Sequence, residues 1–551
     1  MPIGDTIAVI AELVGEGKAR RLGLSEAADP TRIRRVHAVQ PIGSARCRPC
    51  GAFAPCLELG IGLVSCRQPC GSDDGTNGLI AGFVVRPYGG FMAIATTSPV
   101  TGEVLRSFDE LTPEELEDKL ARAAAAAASY RLTSVEERAE WLHHAADRLE
   151  KEIESVGRMI TSEMGKTFRA AEQEVVKCVH GLRFYAAEGP AYLRDLEADA
   201  GRVGAKQTFV TYQPIGVVLA VMPWNLPLWQ AMRFAAPALT AGNVGLLKHA
   251  SNVPQCALYL EELFREAGFP DDVFQTLLIS ARRVEQVLRD PRVAAATLTG
   301  SEPAGRSVAT IAGDEIKKVV LELGGSDPFI VMPSTDLERA TDVAVTARCL
   351  NNGQSCINGK RFFVHRDISD AFIDMFVAKM GALVVGDPMD EGTDVGPLAT
   401  ESGRRDVEAY VEDAVAKGAR VLLGGERPDG PGWFYPPTVL TGITPEMNMY
   451  HEEVFGPVAQ VWTVDSLEEA LREANGHPYG LGSNLWSEDE AEREMFVRDV
   501  QSGMAFINGN TTSFPEIPFG GVKRSGYGRE LSDLGMREFM NAKTVWIGQD
   551  T

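Results

Sequence analysis

No run of apolar residues in this 551-residue chain approaches the ~20 needed to cross a bilayer. The N-terminus has no basic cluster leading into an apolar core and a small-residue cleavage site, so no secretory signal is read there and a cytoplasmic location is expected. Positive charge is scarce: 54 Lys+Arg stand against 76 Asp+Glu, a formal net charge of -22. Such a surface repels phosphate backbones and anionic lipids, so neither nucleic acid nor membrane is expected as a partner. The usual dinucleotide signature GxGxxG is missing. Internal repeats and low-complexity linkers are missing too, since Ala123–Ala128 is simply good helix. What remains is an ordinary globular balance, 44% apolar and 24% charged, long enough for roughly three to four structural units.

Cysteine and charge divide the chain near Met92. Five of the nine cysteines, Cys47, Cys50, Cys56, Cys66 and Cys70, fall before it, leaving Cys178, Cys256, Cys349 and Cys356 for the rest. Residues 1–91 carry a net charge of +2 and the remaining 460 residues -24. Cys47-x₂-Cys50 has zinc-knuckle spacing, but a partner pair at similar spacing is missing, so no metal is expected. The strings GKARRLGLSEA (Gly17–Ala27), TRIRRVHAVQPI (Thr31–Ile42) and LELGIGLVS (Leu57–Ser65) resemble one unit and the next strand of an aldo/keto reductase barrel. A closed barrel of that kind takes about 250 residues. This segment is therefore read as an N-terminal extension, a remnant that is poorly packed and dispensable.

Beyond Met92 the pattern is alternating. Thr112-Pro113-Glu114-Glu115 is a helix start, and helical periodicity follows through Val135–Lys151 to about Arg194. Short apolar runs then alternate with helices: Gly216–Met222, Val244–Lys248, Val273–Ile279, Ala294–Leu298 and Lys318–Leu323. A second series runs from Phe329 to about Ile507, with Pro445–Trp462 read as a connection. Buried parallel sheets built from βαβ units are expected.

Four strings carry chemistry. Pro223-Trp224-Asn225-Leu226-Pro227 sets an amide in a rigid turn, able to face a developing oxyanion. Leu321-Glu322-Leu323-Gly324-Gly325 ends a strand on a carboxylate, where α/β sheets hold ligands. Asn352-Gly353-Gln354-Ser355-Cys356 presents a thiol after a glycine turn, and Glu452-Glu453-Val454-Phe455-Gly456-Pro457 is an acidic loop. Taken singly, each also fits a bland role: a common turn, a solvated strand-end carboxylate, a small buried hydrophobe, an acidic loop.

In this order they resemble the aldehyde dehydrogenase superfamily. The likeness extends over Met92–Gln549 and includes GKTFRAAEQEV (Gly165–Val175), LTGS (Leu298–Ser301), PFGGVKRSGYGREL (Pro518–Leu531) and the 34-residue interval from Glu322 to Cys356. The resemblance implies an α/β fold with a Rossmann-like cofactor domain (92–322, interrupted by an oligomerisation arm near 205–214), a catalytic domain (323–517) and a C-terminal segment (518–551). The arm would draw on Gln207–Gln213 and Met540–Ile547, in a homodimer or homotetramer. It implies Cys356 as nucleophile, Asn225 and the Cys356 N–H as oxyanion donors, and Glu322 as the general base that hydrolyses a thioester.

For the cofactor, Gly300-Ser301 with Gly305 stands at the strand–helix junction where a pyrophosphate meets free N–H groups. In relatives that prefer NAD the Ser251 position is commonly Glu; here Ser251 beside Lys248 suits a 2′-phosphate. NADP is expected, with NAD used less efficiently. Trp224, Glu453 and Phe455 are the expected contacts on the nicotinamide side. LLKHASNVPQCAL (Leu246–Leu258) and WQAMRFAAPAL (Trp229–Leu239) are similar to bacterial succinate-semialdehyde dehydrogenases. Arg233 and Ser513 are then the contacts to the substrate's distal carboxylate. Asn358 stands where some such enzymes carry a second, disulfide-forming cysteine. Glutarate semialdehyde, a neutral aldehyde, or a non-catalytic cofactor-binding role remain as alternatives.

Overall fold

The computed structural model describes residues 94–549. The cysteine cluster Cys47–Cys70 and the aldo/keto reductase-like strings lie outside the described residues.

The first long helix, Pro113–Tyr130, begins as its local chemistry dictates. Thr112 accepts from the Glu115 N–H, Glu115 returns the bond to Thr112, and Pro113 takes the first turn. Ser134 and Glu137 repeat the device for Val135–Lys151. The periodicity beyond is broken twice. Ile153–Met164 ends on the left-handed Gly165, and Phe168–Tyr192 restarts from a Thr167 cap.

Two parallel sheets follow. The first has the spatial order Gly526–Tyr527, Lys318–Glu322, Val293–Thr299, Val217–Met222, Val244–His249, Phe274–Thr276. Five of its six strands are parallel, and only the edge strand Gly526–Tyr527 runs against Lys318–Glu322. The Val217 strand sits between Val244 and Val293, so the chain winds outward in both directions from it. Ligands of open α/β sheets bind beyond the strands' carboxyl ends at such a switch point. Runs such as Val218-Leu219-Ala220 and Leu246-Leu247 are fully buried, because helices cover both sheet faces.

The second sheet has the order Arg420–Leu423, Thr438–Thr441, Val458–Val464, Gly359–His365, Asp327–Val331, Asn484–Trp486, Phe506–Ile507. Here the sequence expectation needs correcting. Pro445–Trp462 is not merely a connection: it runs into Val458–Val464, which pairs in parallel with strands on both sides. The polar Gln460, fully buried in that strand, interrupts the apolar run that marks the other strands.

A third, three-stranded sheet pairs Met540–Ile547 antiparallel with Gln207–Pro214, which in turn pairs with Leu196–Glu197. No helix among the described residues is long and apolar enough to cross a membrane.

Candidate active site

Three strand ends of the first sheet and two loops of the second converge on one cavity of about 260 Å³. Its lining includes Trp224, Asn225, Gln230, Gly300, Ser301, Glu322, Cys356, Glu453 and Phe455. Eight of the residues singled out by sequence therefore meet in one place. Lys248 and Ser251, expected at the 2′-phosphate end, and Arg233 and Ser513, expected at the carboxylate end, are not among its lining residues.

Cys356 follows a turn of unusual backbone. Asn351, Asn352 and Gly353 are all left-handed, with φ of 58°, 56° and 76°. Asn tolerates that region better than other side chains, because its amide bonds locally. Asn351 Nδ2 donates to the carbonyls of Asn225 (2.8 Å) and Gln354 (2.9 Å). Asn352 Nδ2 donates to those of Gly165 (2.8 Å) and Pro397 (2.9 Å). At Gly353 a Cβ would lie 2.3 Å from the Gly456 carbonyl carbon, so only glycine lets the cysteine turn press against the Glu453–Phe455 loop.

Two buried cations that sequence reasoning missed hold these loops together. Arg348 donates to the Gly353 and Gly359 carbonyls (2.9 and 3.2 Å) and to that of Gly456. Lys360 donates to the Ser355 and Cys356 carbonyls (2.8 and 2.9 Å) and lies 3.2 Å from Glu453 Oε1. Neither has a local signal in the sequence, because each partner set is assembled only by the fold.

Asn225 is positioned by the helix Pro227–Thr240. No residue of that helix's own start caps it; Glu174 accepts the Leu228 and Trp229 N–H groups (2.8 and 2.9 Å) from a distant helix. The Asn225 Nδ2 donates to the Gln354 carbonyl at 3.1 Å. That acceptor fixes which way the amide faces, and leaves the second N–H of the same group for the cavity.

Glu322 is buried, and neither carboxylate oxygen has a hydrogen-bond partner among the described residues. Burial pushes its pKa well above the ordinary carboxylate range; nearby Glu530 adds to this, while Arg233 and Arg529 oppose it. Cys356 is only partly exposed, and burial pushes its thiol up to about 12, against the pull of Arg233 and Lys360.

The residues present fit a phosphorylated dinucleotide. Buried Lys248 has no carboxylate partner among the described residues, and burial lowers its pKa, with Glu110 opposing. Ser301 starts the helix Glu302–Asp314 without a side-chain cap, leaving the first-turn N–H groups open. A Cβ on Gly324 would meet Glu453 Oε2 at 2.4 Å, so glycine there lets the Glu453 carboxylate lie close against the cavity wall. Trp224 and Phe455 stand edge to face, ring centroids 5.8 Å apart.

Arg233 is 2% exposed; its Nε lies 2.8 Å from Glu530 Oε2 and its guanidinium 4.2 Å from the Phe519 ring centroid. The fork expected to be free is therefore ion-paired along one edge, although neither Nε nor Nη2 has a hydrogen-bond partner among the described residues. Ser513 Oγ accepts from Lys177 Nζ and from Trp229 Nε1, both at 2.9 Å.

A buried thiol, an amide donor and an orphaned carboxyl facing an α/β switch point define a class: dinucleotide-linked oxidoreductases that work through cysteine. The chain belongs to the aldehyde dehydrogenase family, whose model matches residues 89–545. It is 61% identical over 456 residues to succinate-semialdehyde dehydrogenase (NADP+) 1 of Mycobacterium tuberculosis, covering 83% of this chain and 100% of that one. It is 59% identical to succinate-semialdehyde dehydrogenase (NADP+) of Mycobacterium leprae, with the same coverage. The crystal structure of succinic semialdehyde dehydrogenase from Streptococcus pyogenes in complex with NADP+ superposes with a TM-score of 0.80 at 38% identity, covering 83% of this chain and 100% of that one.

Proposed function

We propose that this chain oxidises succinate semialdehyde to succinate with NADP+, through a thioester on Cys356. The observation that carries this is the single cavity holding the Cys356 thiol, the Asn225 amide and the Glu322 carboxyl, in a chain 61% identical to a relative named for that substrate and cofactor.

Cys356 Sγ, once deprotonated, attacks the aldehyde carbon and forms a thiohemiacetal. The oxyanion accepts from the free Asn225 N–H and the Cys356 N–H; losing one such donor costs ~10²–10³ in rate. Lys248 and Ser251 hold the 2′-phosphate, the Gly300–Ser301 turn the pyrophosphate, and Glu453, Trp224 and Phe455 the nicotinamide side. NADP+ held there would supply the hydride acceptor, and loss of hydride from the thiohemiacetal carbon would leave a thioester on Cys356. Glu322 then takes a proton from water, whose oxygen attacks the thioester; succinate leaves and Cys356 regains its thiol. Arg233 and Ser513 face the distal carboxylate. The lone buried Lys248 ammonium favours NADP+ over NAD+ by ~10–100-fold. The first sheet is the cofactor domain, the second the catalytic domain, and the Gln207–Pro214 and Met540–Ile547 strands an oligomerisation arm.

The test is product analysis with succinate semialdehyde and NADP+. Equal amounts of succinate and NADPH are expected, and none from Cys356→Ala. NADPH formed only when an added thiol acceptor is present would contradict hydrolysis by Glu322.

A further inference from the structure

A cation attracts an anionic substrate most strongly when no carboxylate already compensates it. Arg233 does not meet that condition, since Glu530 lies 2.8 Å from its Nε and the pair is buried together. Lys177, on the helix Phe168–Tyr192, does: its ammonium has no carboxylate within ion-pair distance among the described residues. It donates instead to Ser513 Oγ at 2.9 Å and lies 4.7 Å from the Trp229 ring centroid.

The hydrogen-bond inventory of Ser513 gives a direction. Its Oγ accepts from both Lys177 Nζ and Trp229 Nε1, which fills both lone pairs. The hydroxyl proton is left as a donor, and no described protein atom receives it. An ammonium with further N–H groups beside a hydroxyl committed to donation is a seat for an anionic oxygen.

The seat is tied to the helix that lines the cavity, since Trp229 donates to Ser513 and its neighbour Gln230 faces the cavity. Gln230 lines the cavity with Cys356, and Trp229, Gln230 and Arg233 share one face of the helix Pro227–Thr240. Arg233 bears electrostatically on both Cys356 and Lys177.

We propose that Lys177 is a specificity-determining residue, its ammonium and the Ser513 hydroxyl binding the carboxylate of an ω-carboxylated short-chain aldehyde. This rests on the function proposed above, and shifts the uncompensated charge from Arg233 to Lys177.

A pH signature follows. Burial and Arg233 lower the Lys177 pKa to about 8, with Glu174 and Cys178 pulling the other way and Lys166 adding to the fall. Lys177 is charged below that pH and neutral above it, so anion binding weakens as pH rises through about 8.

The experiment compares wild type, Lys177→Met and Lys177→Arg as full chains with NADP+. The ratio of kcat/KM for succinate semialdehyde to that for butanal, its uncharged counterpart, is expected to fall about 10- to 100-fold in K177M, the loss of one charge-assisted hydrogen bond. It is expected to stay within about threefold of wild type in K177R, which keeps the charge. In wild type, the inhibition constant of succinate, which needs no chemistry at Cys356, should rise above pH 8, and that rise should vanish in K177M. An unchanged ratio in K177M, or a flat wild-type succinate profile, overturns the role of Lys177. If K177M does not fold, the wild-type profile decides alone. Wild type that turns over butanal but not succinate semialdehyde would instead overturn the function on which the role rests.

Discussion

Cys356 and Glu322 are both held in their neutral forms by burial, the thiol up to about 12 and the carboxyl well above its ordinary range. The proposed nucleophile and base each work deprotonated, so raised pKa values move the acid limb of the rate upward. The kcat/KM for a neutral aldehyde is therefore expected to keep climbing from pH 7 to 9, as initial rates would show; a plateau from pH 6 would contradict these environments. Glu322→Gln leaves thioester formation intact and removes the base for hydrolysis. Rapid-mixing measurements should show a burst of about one NADPH per site, then a steady rate ~10²–10⁴-fold below wild type. Arg233→Leu strands buried Glu530 beside Glu322, a loss on the scale of 3–5 kcal/mol for a broken buried pair, visible as a lower denaturation midpoint. Cys356, Asn225 and Glu322 were legible in the sequence because each sits in a short motif. Lys177, Glu530 and Lys360 were not: Ser513 is 336 residues from Lys177, and that meeting leaves no local pattern.

Among elements, the turn Leu350–Gly353 bears most directly on the chemistry, and it is held from behind. Arg348, at the end of the helix Leu337–Cys349, satisfies carbonyls of both the cysteine turn and the Glu453–Phe455 loop. Arg348→Met would leave the buried Gly353 carbonyl unpaired, costing about 1–3 kcal/mol, while Gly456 keeps the Val458 N–H. Thermal unfolding should show the loss, and kcat should fall even where the variant stays folded. Wild-type kcat in folded R348M would contradict the positioning role. Element starts with their own capping chemistry, such as Thr112, and strands with unbroken apolar runs, such as Val217–Met222, could be read residue by residue. Val458–Val464 could not, because Gln460 gives a core strand the look of a connection.

At the scale of the whole molecule, two parallel sheets present their loops to one cavity, while the arm sheet stands apart from it. The arm exposes Leu196, Trp546 and Ile547, and large apolar side chains gathered on one small sheet mark an interaction surface. A second copy of the chain is the proposed cover, and sedimentation should give a dimer or tetramer that Trp546→Glu shifts toward monomer. Order and spacing of motifs made the architecture legible, because the Gly300–Ser301 turn, Glu322 and Cys356 follow Val293–Thr299, Lys318–Glu322 and Leu337–Cys349 in chain order. The pairing of residues 207–214 with 540–547 was legible only through family resemblance, since no local pattern joins strands that far apart.

The most direct test of the account is the initial rate of reduced-cofactor formation with succinate semialdehyde, measured separately with NADP+ and NAD+. The account predicts a kcat/KM ~10–100-fold higher with NADP+, from the 2′-phosphate on Lys248 and Ser251, and silence in Cys356→Ala. Equal rates with the two cofactors would contradict the role of Lys248, and no turnover of this aldehyde with either would contradict the proposed function itself.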